Sequence, residues 1–403
     1  MRFQIRADYT VGSHLMNSEA SRRKSQTSLI SHLFFLALKR KSVYNGIMLE
    51  LSVNAKSPLA IAAAFKKIHE MVRTGTLDAD APVHLVLAPG QYHEILSYNL
   101  ENPLIMESVP GTKPEDCVIS AENCEAFHKD TENRSVLVFG LGVTKVTLRG
   151  FTIENTHVKT KDDVSLGNQA EALCWHNYKG FLLAENMRFI SRQDTVHVKG
   201  VSRFKNCYVT GDVDFIWGYC DLSLWENCHI HTREDNRGGD HDAYVLQSRA
   251  LNGKPGFVFT DCEFTADKRE GNSHIYMGRS AGTGKPNSLD RWDSIALINC
   301  TISPEYDEAL WTDEGGKRAV YPKGSAATGW REYGTKTLGE NGHTIAADTS
   351  KRSPYGYVMN NKEYFARYAS SSLILGAYAA QYEKSRWLCG ANHRRRMYEK
   401  CKD

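Results

Sequence analysis

The chain has 403 residues, 41% of them hydrophobic, with 31 glycines against 11 prolines and a formal net charge of +3 from 50 basic and 47 acidic residues. That length and composition suit a soluble, turn-rich globular protein of one large domain with appendages, or of two domains. No run approaches the ~20 apolar residues of a membrane-spanning helix, no nucleic-acid-binding motif is present, and the near-balanced charge would tolerate a polyanionic substrate.

Taken in order, the chain begins with 47 weakly patterned residues. Leu29 to Leu38 follows Arg22-Arg23-Lys24 in the manner of a signal-peptide core. His32 interrupts it, Lys39-Arg40-Lys41 follows at once, and no small-x-small cleavage site is evident. Met48 is an alternative start. Pro58 to Gly75 predicts a helix, with Ser57 as N-cap, Pro58 in the first turn and Gly75 as the stop. Leu59, Ala62, Ala63, Phe65, Ile68 and Val72 form its apolar stripe, which suits a helix capping one end of a larger body. Short β-type segments follow at 83–87, 103–106 and 117–119.

A repeat then sets in. Segments around Gly150, Asn186, Asn206, Asn227, Asp261 and Asn299 share one pattern: apolar, any, Asn/Asp/Gly, small or apolar, polar, apolar. The key positions are 36, 20, 21, 34 and 38 residues apart. A basal period of 20 to 21, lengthened in places by a loop, with β-type segments throughout, predicts a solenoid whose unit is one coil of a parallel β-helix. Cys207, Cys228, Cys262 and Cys300 occupy the same repeat position and should stack as buried thiols rather than disulfides. The expected fold is all-β, a right-handed single-stranded parallel β-helix over 48–345. A helical, basic tail is expected over 346–403, helical from Tyr364 to Trp387 and ending in the solvated run Arg394-Arg395-Arg396.

Asp194 lies eight residues after Asn186, and Asp214 eight after Asn206. The repeat therefore puts both at one position of adjacent coils, about 4.8 Å apart in strand spacing. Two such carboxylates cannot both ionise cheaply, which favours a protonated acid beside an ionised nucleophile or base. Phase alone serves a cation-binding or solvated Asp ladder equally well. Read as a strand, Gly211 to Gly218 sets Val213, Phe215 and Trp217 on one face and Asp212, Asp214 and Ile216 on the other.

Several separated stretches, in order over roughly 50–345, resemble the pectinesterase (pectin methylesterase) family. Gly211 to Gly218 matches G-x-V-D-F-I-F-G with Trp217 for Phe, and Gln193-Asp194-Thr195-Val196 matches Q-D-T-L. Gln169-Ala170-Glu171-Ala172-Leu173 matches Q-A-V-A-L, Tyr244 to Arg249 resembles I-T-A-Q-G-R, and Met277-Gly278-Arg279 matches the start of L-G-R-P-W. Gly329 to Tyr333 resembles a C-terminal family segment.

The resemblance implies an enzyme that hydrolyses methyl esters of galacturonate polymers or oligomers. It implies Asp214 as nucleophile, Asp194 as general acid and then base, Gln169 and Gln193 as oxyanion donors and Arg279 as the partner of Asp214. It implies neither a metal nor an organic cofactor. Ser280-Ala281 stands where the family has Pro-Trp, which leaves the sugar-facing aromatic to Trp217, Tyr244 or Trp292. That loss keeps open another esterase or an acyl thioesterase on the same scaffold. A non-catalytic β-helix that binds acidic polysaccharide is a third reading.

His229 and His231 share one strand face, while Asp235, Asp240, His241 and Asp242 lie in a Gly-rich loop, which reads as a solvated insertion near the groove rather than a metal site. No Gly-x-Ser-x-Gly elbow supports a serine hydrolase. The expected partner is methyl-esterified pectin or oligogalacturonide, with no nucleic acid and no membrane, bound by a monomer. A cytoplasmic location is expected from the weak export signal and the thiols, with secretion or a periplasmic site as the alternative.

Overall fold

Seven corners of the chain are built alike. Gly150, Asn186, Asn206, Asn227, Asp261, Asn299 and Gly334 all have φ between 51° and 75°. Each ends a strand of one sheet, and the strand of a second sheet begins two residues later. A side chain with a Cβ costs about 1–2 kcal/mol in this left-handed region, and Gly and Asn are the residues that enter it most readily. The asparagines offset part of that cost by bonding from coil to coil. Asn227 Nδ2 donates to Asn206 Oδ1 at 2.8 Å, and Asn206 Nδ2 to Asn186 Oδ1 at 3.3 Å. The repeat read from the sequence is thus a repeat of corners, and Gly334 extends it by one coil.

The computed structural model describes residues 39–43, 46–159, 168–237, 240–269 and 271–378. Within them the chain winds as a parallel β-helix with three walls. One wall is the ten-stranded sheet that includes Cys117–Ala121, Thr152–Asn155, Arg188–Ile190, Tyr208–Gly211, His229–Thr232 and Glu263–Ala266. The other two belong to an 18-stranded sheet. Two long strands, Val196–Lys205 and Val213–Glu226, run continuously through both of these walls, with a register shift after Gly200 where they bend. At Gly218 (φ 147°) the coils approach so closely that a Cβ would lie 1.9 Å from the Val198 carbonyl oxygen.

Side chains stack inside as the backbone stacks outside. Phe204, Trp225 and Phe259 form a column with ring centroids 3.8 and 5.6 Å apart. Burying each ring contributes roughly 2–3 kcal/mol. Cys207 and Cys228 donate their backbone N–H to the sulfur of the next coil's cysteine, Cys228 and Cys262, at 3.4 Å each. The eight described cysteines are buried and free.

The helix spans Ala60–Arg73. Ser57 does not cap it. Leu59 precedes the first turn in a left-handed conformation, and the Glu94 carboxylate accepts from the N–H groups of Ile61 and Ala62. Its buried face is Ile61, Ala64, Phe65 and Ile68, shifted from the expected stripe, so Leu59 is exposed. The stop falls where expected, with Gly75 at φ 69° just past the C-cap Thr74.

The sheet also crosses both expected domain boundaries. Strand Gly46–Val53 runs through position 48, and Tyr357–Val358 pairs with Trp330–Tyr333 beyond position 345. Short helices at Asn361–Arg367 and Ser371–Leu375 follow. Tyr368, Ile374 and Leu375 cover Leu222, Leu224, Val258 and Ile298 on the outside of the sheet. The expected helix therefore ends its described part as a packed layer. The segment Leu29–Leu38 that resembles a signal core, residues beyond 378 and the Arg394–Arg396 run lie outside the described residues.

Candidate active site

Asp194 and Asp214 are left-handed too, with φ 63° and 47°. They sit on a different wall from the asparagine corners. Gln169, Gln193 and Val213 bridge from coil to coil in parallel, and the Asp194 N–H donates to the Val213 carbonyl at 3.1 Å. The next residue on two successive coils is therefore Asp194 and Asp214. The left-handed turn breaks the alternation expected of Gly211–Gly218. Phe215 and Ile216 both enter the core, while Trp217 lines the same cleft as Asp214. Val213 is only half-buried. Asp212 points elsewhere, into a buried ion pair with Lys159 at 2.6 Å.

The cleft holds about 700 Å³ and is lined by Gln169, Gln193, Asp194, Asp214, Trp217 and Arg279 together. Cations outnumber carboxylates there: Lys129, Arg134, Lys199, Arg249, Arg279, Arg291 and Arg318 against Glu125, Asp194, Asp214 and Asp290. Such a lining attracts an anionic ligand.

The two carboxylates are held differently. Asp214 Oδ2 accepts from Gln247 Nε2 at 2.9 Å and from Nε and Nη2 of Arg279. Among the described residues, its Oδ1 accepts only from Arg279 Nε, at 2.9 Å. Arg279 is itself braced by Glu314 at 3.0 Å, and its guanidinium lies 4.3 Å above the Tyr244 ring. Asp194 Oδ2 receives one contact, from Arg134 Nη2 at 3.1 Å. Arg134 in turn grips Glu171 through Nε and Nη2 at 2.7–3.1 Å. Asp194 is held well above the usual carboxylate range, first by burial and then by the Glu171 charge; Asp214 adds less, and Arg134 and Arg279 oppose. The mutual repulsion expected from the repeat is present but is not the main cause.

Gln169 buries its Oε1 without a hydrogen-bond partner among the described residues. Trp217 stacks on His197 with centroids 4.1 Å apart, and the Arg249 guanidinium lies 5.3 Å from its ring. Burial holds His197 well below its ordinary range, and hence neutral. Tyr244 and Trp292 do not line the cleft. Tyr244 lies stacked on Tyr276 beneath Arg279, and Trp292 packs edge-on against Tyr321. In the strand that holds Trp292, it is Asp290 and Arg291 that reach the cleft. Ser280 is buried and donates to Asp293 Oδ2 at 2.8 Å, so the residue in the place of the family's Pro braces the loop from inside. Burial pushes Asp293 up to about 7. His229 and His231 both meet Thr265, on the ten-stranded sheet.

Reasoning from the sequence missed Arg134, Glu171 and Gln247 as parts of this site. Gln247 lies within the stretch Tyr244 to Arg249 that resembles I-T-A-Q-G-R. Glu171 left a signal, a carboxylate at a motif position that is otherwise Val. Arg134 left none, because it lies outside every motif.

The Pectinesterase family model matches residues 60–286, more than half of the chain. The probable pectinesterase 50 of Arabidopsis thaliana is 27% identical over 57% of this chain, which spans 58% of that relative's length, under two thirds of it. The structure is similar to pectin methylesterase PemA from Erwinia chrysanthemi, with a TM-score of 0.59 at 19% identity, covering 83% of this chain and 98% of that one. It is also similar to a pectin methylesterase solved in complex with a hexasaccharide, with a TM-score of 0.57 at 19% identity over 83% and 98% of the two chains. At that identity the likeness speaks for the fold, a pectin methylesterase β-helix. The family is carried by the match over 60–286, and this chain belongs to the pectinesterase family.

Proposed function

We propose that the protein hydrolyses methyl esters of galacturonate polymers or oligomers, releasing methanol and a carboxylate. One observation carries the reading: Asp194 and Asp214 occupy the same left-handed position on adjacent coils and open into one cation-rich cleft. Membership of the pectinesterase family and the hexasaccharide bound to a structural relative support the substrate class.

The reaction follows from the contacts. Asp214 Oδ1, the less encumbered oxygen, attacks the ester carbonyl carbon. The side-chain amides of Gln169 and Gln193 donate to the oxyanion that forms, and one such donor is typically worth about 10²–10³ in rate. As the tetrahedral centre collapses, Asp194 gives its proton to the departing methoxide, since an alkoxide leaves poorly without one. The acyl group is then an anhydride of Asp214. Asp194, now ionised, takes a proton from water, and the hydroxide formed cleaves the anhydride and frees Asp214. Arg279 and Gln247 keep Asp214 aimed throughout.

The sign of the pH dependence follows. Activity needs Asp194 protonated, so it falls as pH climbs through the raised range of that carboxyl. The purified protein is expected to release methanol from methyl-esterified oligogalacturonide and to leave acetyl esters and acyl thioesters of similar size untouched. Turnover of the thioester without methanol release from the methyl ester would replace this reading with that of a thioesterase on the same scaffold.

A further inference from the structure

The buried group around Asp194 contains one cation and two carboxylates. Arg134 and Glu171 are buried, Glu171 fully, and Asp194 is 7% exposed. A single proton makes this trio neutral, and burial strongly favours the neutral trio. The geometry decides which carboxyl receives it. Arg134 turns the face of its fork to Glu171 through Nε and Nη2, at 2.8 Å to Oε2 and 2.7 Å to Oε1, and spares Asp194 one contact at 3.1 Å. Burial raises Glu171 too, but Arg134 opposes that through a paired contact, and a bidentate guanidinium holds its carboxylate ionised much more firmly than a single bond does.

We propose that Arg134 and Glu171 act as a positioning pair for Asp194: Glu171 occupies the Nε and Nη2 edge of the guanidinium, so the proton goes to Asp194, and the second N–H on Arg134 Nη2 aims that carboxyl into the cleft. The proposal rests on the reading of Asp194 as the acid of the reaction. It also explains why this chain carries Glu at the third position of a stretch resembling Q-A-V-A-L. The charged groups that face Asp194 are Arg134, Glu171, Asp214 on the next coil and Arg279 beyond it, with Glu125 reaching Arg134 at 3.4 Å. Of the carboxylates, Glu171 raises Asp194 more than Asp214 does.

The test is a carbon-13 titration of the aspartate carboxyls in the whole protein, with D194N assigning the signal. In E171Q the guanidinium is released to Asp194, whose titration should move to lower pH by about one unit or more, a tenfold change in its proton equilibrium. The alkaline limb of methanol release should move with it, with KM within about twofold. The variant R134M/E171V removes both charges without stranding either, and its Asp194 should titrate above that of E171Q. An Asp194 signal that titrates at the same pH in folded E171Q and wild type overturns the proposal. If that signal moves but no variant, wild type included, releases methanol, the proton assignment holds and the esterase reading fails. If methanol is released and the signal stays still, the esterase reading stands and the positioning pair is wrong.

Discussion

Two sets of left-handed corners, on different walls of the same solenoid, put one backbone conformation to different uses. At Asn186, Asn206 and Asn227 the side chains bond to one another along the stack. At Asp194 and Asp214 the equivalent neighbours would repel, and each side chain is instead held from outside its own stack: Asp214 by Gln247 and Arg279, Asp194 by Arg134. The left-handed turn lifts a side chain out of the strand's alternation. Where the side chain is a self-complementary amide, the result is a ladder that stabilises the coil. At Asp194 and Asp214 the result is a carboxyl group fixed in a cleft and braced by groups that hold its aim.

Breaking the two sets should therefore have opposite signatures. The largest effect is expected for D214A, with kcat lower on the order of 10⁴–10⁶-fold, the scale seen when a nucleophile is removed. Its melting temperature should fall modestly, because Arg279 loses a buried partner and keeps only Glu314 as a counter-charge. D194N is next, about 10²–10⁴-fold in kcat, the scale of general acid catalysis. It should also abolish the alkaline limb of the pH–rate profile, since no proton remains to be lost. Q193A should cost about 10²–10³-fold in kcat with little change in KM.

The smallest effects on rate belong to the other corners. N206A loses two ladder hydrogen bonds and puts Ala at φ 52°, so denaturant titration should show stability lower by about 1–3 kcal/mol. Its kcat should match wild type. N206G, which keeps the backbone at ease, should recover most of that stability. A large loss of kcat in folded N206A would mean that the two walls are coupled and that the contrast drawn between them is false.

The sequence made the corners legible because a solenoid repeats its constraints. Asn, Asp or Gly recurs at each of these corners, and the spacing then exposes the coil. The same phase put Asp194 and Asp214 on one position of neighbouring coils. What it could not expose was the direction of each side chain, because strand alternation fails at a left-handed residue. Trp217 was accordingly assigned to the face opposite Asp214, yet it lines the same cleft. Tyr244 and Trp292 lie near the site in sequence but face Tyr276 and Tyr321. Arg134 comes from an earlier coil, 60 residues before Asp194, and no local pattern marks such a contact.

The central claim, that Asp214 attacks the ester carbonyl, is tested most directly by trapping its acyl group. In D194N an aryl ester of an oligogalacturonide needs no proton on its leaving group, and water is no longer activated to clear the adduct. We expect a phenol burst stoichiometric with protein, and hydroxylamine should then map the acyl group to the peptide carrying Asp214. A burst of equal size from D194N/D214A, or an adduct on any other residue, would contradict the account.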